Sequence, residues 1–175
     1  MIVLGVDPGE DGGAALVNDR LELIELLPFK GTQFPPALLT MAQKADVIYF
    51  EHVHSMPGQG VASTFTFGRM TGLAEAAIIL SGKPRVNVEP QAWQNRLRLP
   101  RHRDIIESKK RRTAQRKDQE RFAREWYPKA LGNWNTKKDG DIYGAVLIAR
   151  AGAMLTPRYM QQQLDFAPQT LGDLL

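Results

Sequence analysis

Residues 2–6, IVLGV, form an unbroken apolar run that stops at Asp7-Pro8-Gly9. A half-buried strand alternates apolar and polar residues; a short continuous run belongs to a strand covered on both faces. A chain that begins this way must build a sheet and then cover both of its sides. Residues 12–17 supply a second strand, Asn18-Asp19 a turn, and residues 21–27 a third strand with Leu-Glu-Leu alternation. The three read as an antiparallel meander. Pro35-Pro36 opens a helix over 36–43, proline being at home in a first turn. Residues 46–50 (DVIYF) form a fourth strand ending at Glu51, followed by a glycine- and proline-containing loop over 52–60. A helix over 62–80, stopped by Gly82 and Pro84, leads to a short fifth strand over 85–88 and a helix from Pro90 that carries Trp93. Three strands, helix, strand, helix, strand, helices is the order of an α/β fold: a five-stranded mixed sheet with helices on both faces.

The second half is less regular. Residues 101–112 (RHRDIIESKKRR) have little apolar face and read as a mobile arm, with better helical character over 120–127 and a polar loop over 132–138. The last strong helix spans 140–155. The expected organisation is one domain over 1–155 and a tail, 156–175, that packs on the domain or on a partner.

Absences narrow the chemistry. The 175 residues contain no cysteine, which removes disulfides, thiolate catalysis and cysteine-bound zinc together and suits a reducing compartment. The chain starts directly in a strand-like run, without a basic leader, and no stretch reaches the roughly 18 apolar residues of a membrane helix. A cytoplasmic protein with no membrane partner is expected. Net charge is only +4, but twelve Lys or Arg against four Asp or Glu fall between Arg96 and Arg124, just over half of the chain's 23 basic residues. Such clustering points to a polyanion partner such as nucleic acid; the plainer reading is a solvated helix face.

Four carboxylates sit at the ends of buried elements: Asp7 ends strand one, Glu51 ends strand four, and Asp139 and Asp141 precede the apolar run AVLIA. Taken singly, Asp7 is equally a turn residue, Glu51 a surface residue and each aspartate a helix cap. Taken together, with strands one and four as neighbours, they meet. Clustered carboxylates repel each other and resist ionisation unless a cation joins them. Oxygen donors suit magnesium or manganese, and two such ions about 3.5–4 Å apart can drive phosphodiester hydrolysis. If both were helical, residues 139 and 141 would lie about 200° apart, so they cannot share one face. Asp141 falls with Gly144, Ala145 and Ile148, the side expected to pack on the sheet and to aim at Asp7 and Glu51. Asp139 either caps the helix or swings in as a fourth carboxylate.

These residues carry a family likeness. VLGVDPGEDGGAAL resembles the first strand and hairpin of RuvC-like Holliday junction resolvases, within the RNase H-like superfamily; YFEHV resembles their second acidic strand. VASTFTFGRMTGLAEAAI is similar to the Ser-x-x-x-Phe-Gly-x-x-x-Gly helix that follows it there. VEPQAWQNRL resembles the strand and Pro-x-x-Trp helix of bacteriophage-type members, and DGDIYGAVLIARAG the closing Asp-x-x-Asp-Ala-x-x-Ile-Ala helix. The ordered set covers about residues 1–153. It implies an RNase H-like fold and a homodimeric, magnesium- or manganese-dependent endonuclease, with two ions, acting on four-way DNA junctions; a bacteriophage-encoded protein would work in the host cytoplasm. The implied metal ligands are Asp7, Glu51 and the closing-helix aspartates Asp139 and Asp141. The implied phosphate-binding residues come from the basic segment: Lys109, Lys110, Arg111, Arg112, Arg116 and Lys117.

The chain departs from that pattern twice. Where some relatives carry an aromatic wedge three residues after the glutamate, it has His54, which either stacks on a base or is solvated. Aligned through AVLIA, the usual last aspartate falls at Gly144, with Asp141 matching its partner one turn earlier. Phe65 and Phe67 are expected in the helix core, and Trp93, Trp126 and Trp134 in helix packing. Alternative functions are an RNase H-like nuclease for other branched DNA or RNA, and a catalytically silent nucleic-acid-binding module, which the glycine at 144 favours. An actin-like phosphotransferase shares the GVDPGEDGG hairpin but needs a second phosphate-binding half for which the chain is too short.

Overall fold

The computed structural model describes residues 1–9, 11–52 and 60–166, the last ten as backbone only. In chain order the elements are β1 (Ile2–Asp7), β2 (Gly13–Asn18), β3 (Leu23–Pro28), α1 (Pro35–Lys44), β4 (Val47–Glu51), α2 (Val61–Ser81), β5 (Arg85–Val88), α3 (Pro90–Arg96), α4 (Ser108–Trp126), α5 (Pro128–Leu131), α6 (Thr136–Asp139) and α7 (Tyr143–Phe166). The strands form one sheet in the order β3-β2-β1-β4-β5. β1, β2 and β3 pair antiparallel as the expected meander, and β4 and β5 add parallel to β1. This is the RNase H-like arrangement, a mixed five-stranded sheet flanked by helices.

Alternation along the strands divides the core in two. Val3, Ala15, Val17, Val47, Tyr49 and Val88 face α3, α4, α5 and α7. Leu4, Val6, Ala14, Leu16, Ile48 and Phe50 face α1 and α2. β1 is central, and Val3, Leu4 and Val6 have no solvent exposure, as the unbroken run requires. At Gly5, α7 lies so close to β1 that an added Cβ would overlap the backbone of Ala145 and Ala149. Gly152 makes a similar approach to Tyr49 and Val3. Small residues on α7 thus seat the helix directly on β1 and β4.

Several boundaries differ from expectation. Residues 101–107 lie outside any helix as expected, but from Ser108 the basic segment is one continuous 19-residue helix, α4. It lacks a strong apolar stripe but consists mainly of Lys, Arg, Gln and Glu, good helix formers. Ion pairs Glu107–Lys110, Asp118–Arg121 and Glu120–Arg124 at helical spacing support it. The polar loop contains two single turns, α5 and α6. The closing helix starts at Tyr143 rather than at residue 140 and runs to Phe166, past residue 155. Gly140, at φ 94°, separates it from α6; that left-handed backbone ends one turn before the next begins. Phe65 is also not a core residue: it is 72% exposed, because the α2 face bearing it turns away from α1 and the sheet. Trp93 is buried as expected, and Trp126 and Trp134 pack against the α7-side core. His54 lies outside the described residues. No helix among those described is long and apolar enough to cross a membrane.

Candidate active site

The parallel register pairs Val6 with Phe50. The next residue on each strand is a carboxylate, so Asp7 and Glu51 end adjacent strands at one edge of the sheet. By strand alternation both fall on the face covered by α7. The start of α7 lies over Asp7. Gly144 abuts Asp7 so closely that a Cβ there would overlap Asp7 Oδ2.

Asp7 Oδ1 accepts a hydrogen bond from the Gly9 N–H at 3.2 Å, the Asp-Pro-Gly turn holding the carboxylate. Glu51 is 8% exposed. Its Oε1 accepts from the indole N–H of Trp93 at 2.8 Å. Asp141 Oδ1 accepts from the Tyr143 N–H at 3.2 Å, so Asp141 caps the start of α7 and also faces Asp7 electrostatically.

Burial dominates the charge balance. It pushes the Asp7 carboxyl up to about 6; the Gly9 N–H opposes this, Asp141 adds repulsion, and the Arg116 guanidinium partly offsets it. Burial, with repulsion from Asp7, pushes Glu51 up to about 8 against the stabilising Trp93 bond. Burial likewise raises Asp141, opposed by the Tyr143 N–H and by Arg116. Carboxylates that hold protons for want of a counter-charge are what a divalent cation would relieve. Among the described residues no three carboxylate or imidazole groups are drawn into a ready-made cage. The hard oxygen donors and the uncompensated charge nonetheless fit magnesium or manganese.

Asp139 is used differently. Its carboxylate accepts from the Asn135 N–H at 2.9 Å, while the Asn135 side chain accepts from the N–H groups of Lys137 and Lys138. This reciprocal cap closes α6 on itself. Asp139 therefore serves its own turn, and Asp141 stands beside Asp7.

A cavity of about 680 Å³ opens beside Asp141. Asp11 and Asp141 line it, as do Lys30, Arg69, Arg116, Lys137 and Lys138, with the exposed Phe65 on its wall. Of the basic residues singled out in the sequence, Arg116 reaches this cavity. Lys109, Arg112 and Arg116 share one α4 face and line an adjoining groove, and Lys110 and Lys117 line a further groove that Lys109 also borders. Arg111 is committed to the loop before α4, donating to the carbonyls of Ile105 and Ile106. Asp11, Lys30, Arg69, Lys137 and Lys138 escaped the sequence reading because folding brings them together from separate elements. The Pro-x-x-Trp pattern did mark Trp93, but nothing in it pointed to Glu51.

No protein-family model and no curated protein matches the sequence. Solved structures do. RuvC of Thermus thermophilus in complex with a Holliday junction substrate matches at 13% identity and TM-score 0.54, over 90% of this chain and 96% of that one. A structure of RuvC from the same organism matches at 15% identity and TM-score 0.56, over 91% and 97%. At these identities the likeness establishes the fold.

Proposed function

We propose that this protein is a divalent-metal-dependent endonuclease that cuts phosphodiester bonds in branched DNA at four-way junctions. The observation that carries the reading is the pair of carboxylates Asp7 and Glu51 at the ends of adjacent parallel strands, with Asp141 and Arg116 near enough to Asp7 to act on its charge. The fold it shares with a protein solved on a Holliday junction supports the choice of substrate.

Asp7, Glu51 and Asp141 would hold magnesium or manganese, one ion or two, with Asp139 in its cap. Such ions, when bound, activate water and offset charge on the leaving oxygen of a phosphodiester. The side chains do the rest. Asp7 is fixed by Gly9 and Glu51 by Trp93, so their oxygens need little rearrangement. Arg116 lines the cavity together with Asp141 and acts on the charge of Asp7 and Asp141, a position from which it would offset the negative charge of an incoming phosphate. Lys109 and Arg112 extend that positive face along α4, and Lys30, Arg69, Lys137 and Lys138 rim the cavity. A backbone held by such contacts binds with a steep salt dependence. Lys110, Lys117 and, outside the described residues, His54 complete the nucleic-acid contacts.

Two copies would act together. One face of α2 carries exposed Val61, Phe65, Ile79 and Leu80 around Gly68 and Gly72, where an added Cβ would meet nothing. Small residues at its centre permit close helix approach, and the apolar ends provide area to bury. Sedimentation equilibrium showing only monomer at micromolar concentration contradicts this.

A second reading, a binding module without catalysis, draws on Gly144, which stands where a further carboxylate is expected. Labelled junctions, flaps, duplexes and RNA incubated with magnesium separate the readings. Fastest cutting of the four-way junction, lost in Glu51→Gln, supports the nuclease. Binding without any nicking supports the silent module, and preference for a flap or RNA moves the substrate.

A further inference from the structure

We infer that Trp93 is a positioning residue that makes Glu51 a one-oxygen ligand and so tunes which divalent ion the site prefers; this rests on the metal-binding reading above. The indole has one donor and no acceptor, and that donor is spent on Glu51 Oε1 at 2.8 Å. The bond joins residues 42 apart in sequence, both buried: Trp93 is 2% exposed and Glu51 8%. Trp93 cannot easily turn away. Its helix starts at Pro90, its carbonyl accepts from the Leu97 N–H at 3.1 Å, and its ring belongs to the core that includes Val88, Leu97 and Leu99.

With Oε1 engaged by the N–H, Glu51 is oriented to offer Oε2 to an ion. Magnesium and manganese suit such single-oxygen contacts in a near-octahedral shell. Calcium is larger and takes six to eight oxygens, often both from one carboxylate. A donor clamped on one oxygen therefore favours the smaller ions. Without it, Glu51 can rotate and present both oxygens, which helps calcium and disorders the smaller shell. Partners that orient a metal ligand in this way typically change metal affinity 10–100-fold when removed.

The test compares the whole protein with its Trp93→Phe variant, which keeps an aromatic ring and loses the N–H. Manganese binding is followed by electron paramagnetic resonance, calcium binding by displacement of manganese, and fold integrity by circular dichroism and melting temperature. The expected result is manganese binding weakened about tenfold or more, with calcium displacing manganese at a lower ratio than in wild type. A folded variant whose affinities match wild type overturns the inference, and so does an equal loss for both ions. Wild type that binds no manganese overturns the metal-binding reading itself. Should Trp93→Phe fail to fold, the wild-type indole ¹⁵N–H spectrum decides. Its three signals are assigned with Trp126→Phe and Trp134→Phe. Magnesium must move the Trp93 signal more than the other two, and a Trp93 signal that stays put refutes the proposal.

Discussion

Replacing Glu51 with glutamine removes a buried titratable group but keeps an oxygen to accept the Trp93 N–H, so its effect isolates electrostatics from packing. The folded carboxyl is pushed up to about 8, by burial first and Asp7 second, from its ordinary value of 4.5. Between these values the native state keeps a proton that the unfolded chain has released. Stability contributed by this group is therefore full below about pH 4.5 and lost as pH rises towards 8. One retained proton costs about 1.4 kcal/mol per pH unit. From pH 5 to pH 8 the wild type should lose roughly 3–4 kcal/mol that the glutamine variant does not lose. For a chain of this size that corresponds to a widening melting-temperature gap of about 10 °C. Thermal melts in EDTA at half-unit pH steps measure it. The variant should match the wild type near pH 5 and exceed it near pH 8. Millimolar magnesium should then close the gap by stabilising the wild type, because the ion binds only the folded form. Melting curves that run parallel from pH 5 to pH 8 refute the reasoning.

Two further outcomes follow from the same geometry. Asp141→Asn should abolish cleavage, whereas Asp139→Ala should retain it and cost about 0.5–2 kcal/mol of stability through the lost cap bond to the Asn135 N–H; cleavage rates and thermal melts of the two variants distinguish their roles. Arg116→Ala should weaken junction binding at all sequences alike and reduce the salt slope of log affinity by about one, read by fluorescence anisotropy across a salt series.

Local pattern carried much of the fold. The unbroken run 2–6 announced a doubly covered central strand, and β1 is that strand; the meander and α2 followed from alternation, length and terminal glycine. What sequence left open depended on contacts across distance. α4 looked irregular because it lacks an apolar stripe, yet helix propensity and charge pairing hold it together. Phe65 looked like core because nothing local says which face of α2 meets α1. Asp7 and Glu51 were legible from strand ends. The separate duties of Asp139 and Asp141 were not, since they depend on the Asn135 cap and on the positive φ of Gly140. The bond from Trp93 to Glu51 needs the whole sheet to be assembled before its partners meet.

The metal-nuclease reading is tested most directly by cleavage of a labelled four-way DNA junction by the purified protein, with and without magnesium, set beside Asp7→Asn. It predicts magnesium-dependent cutting by the wild type, and an Asp7→Asn variant that binds the junction but leaves it intact. Equal cutting by both proteins, or cutting by the wild type that persists in EDTA, contradicts it.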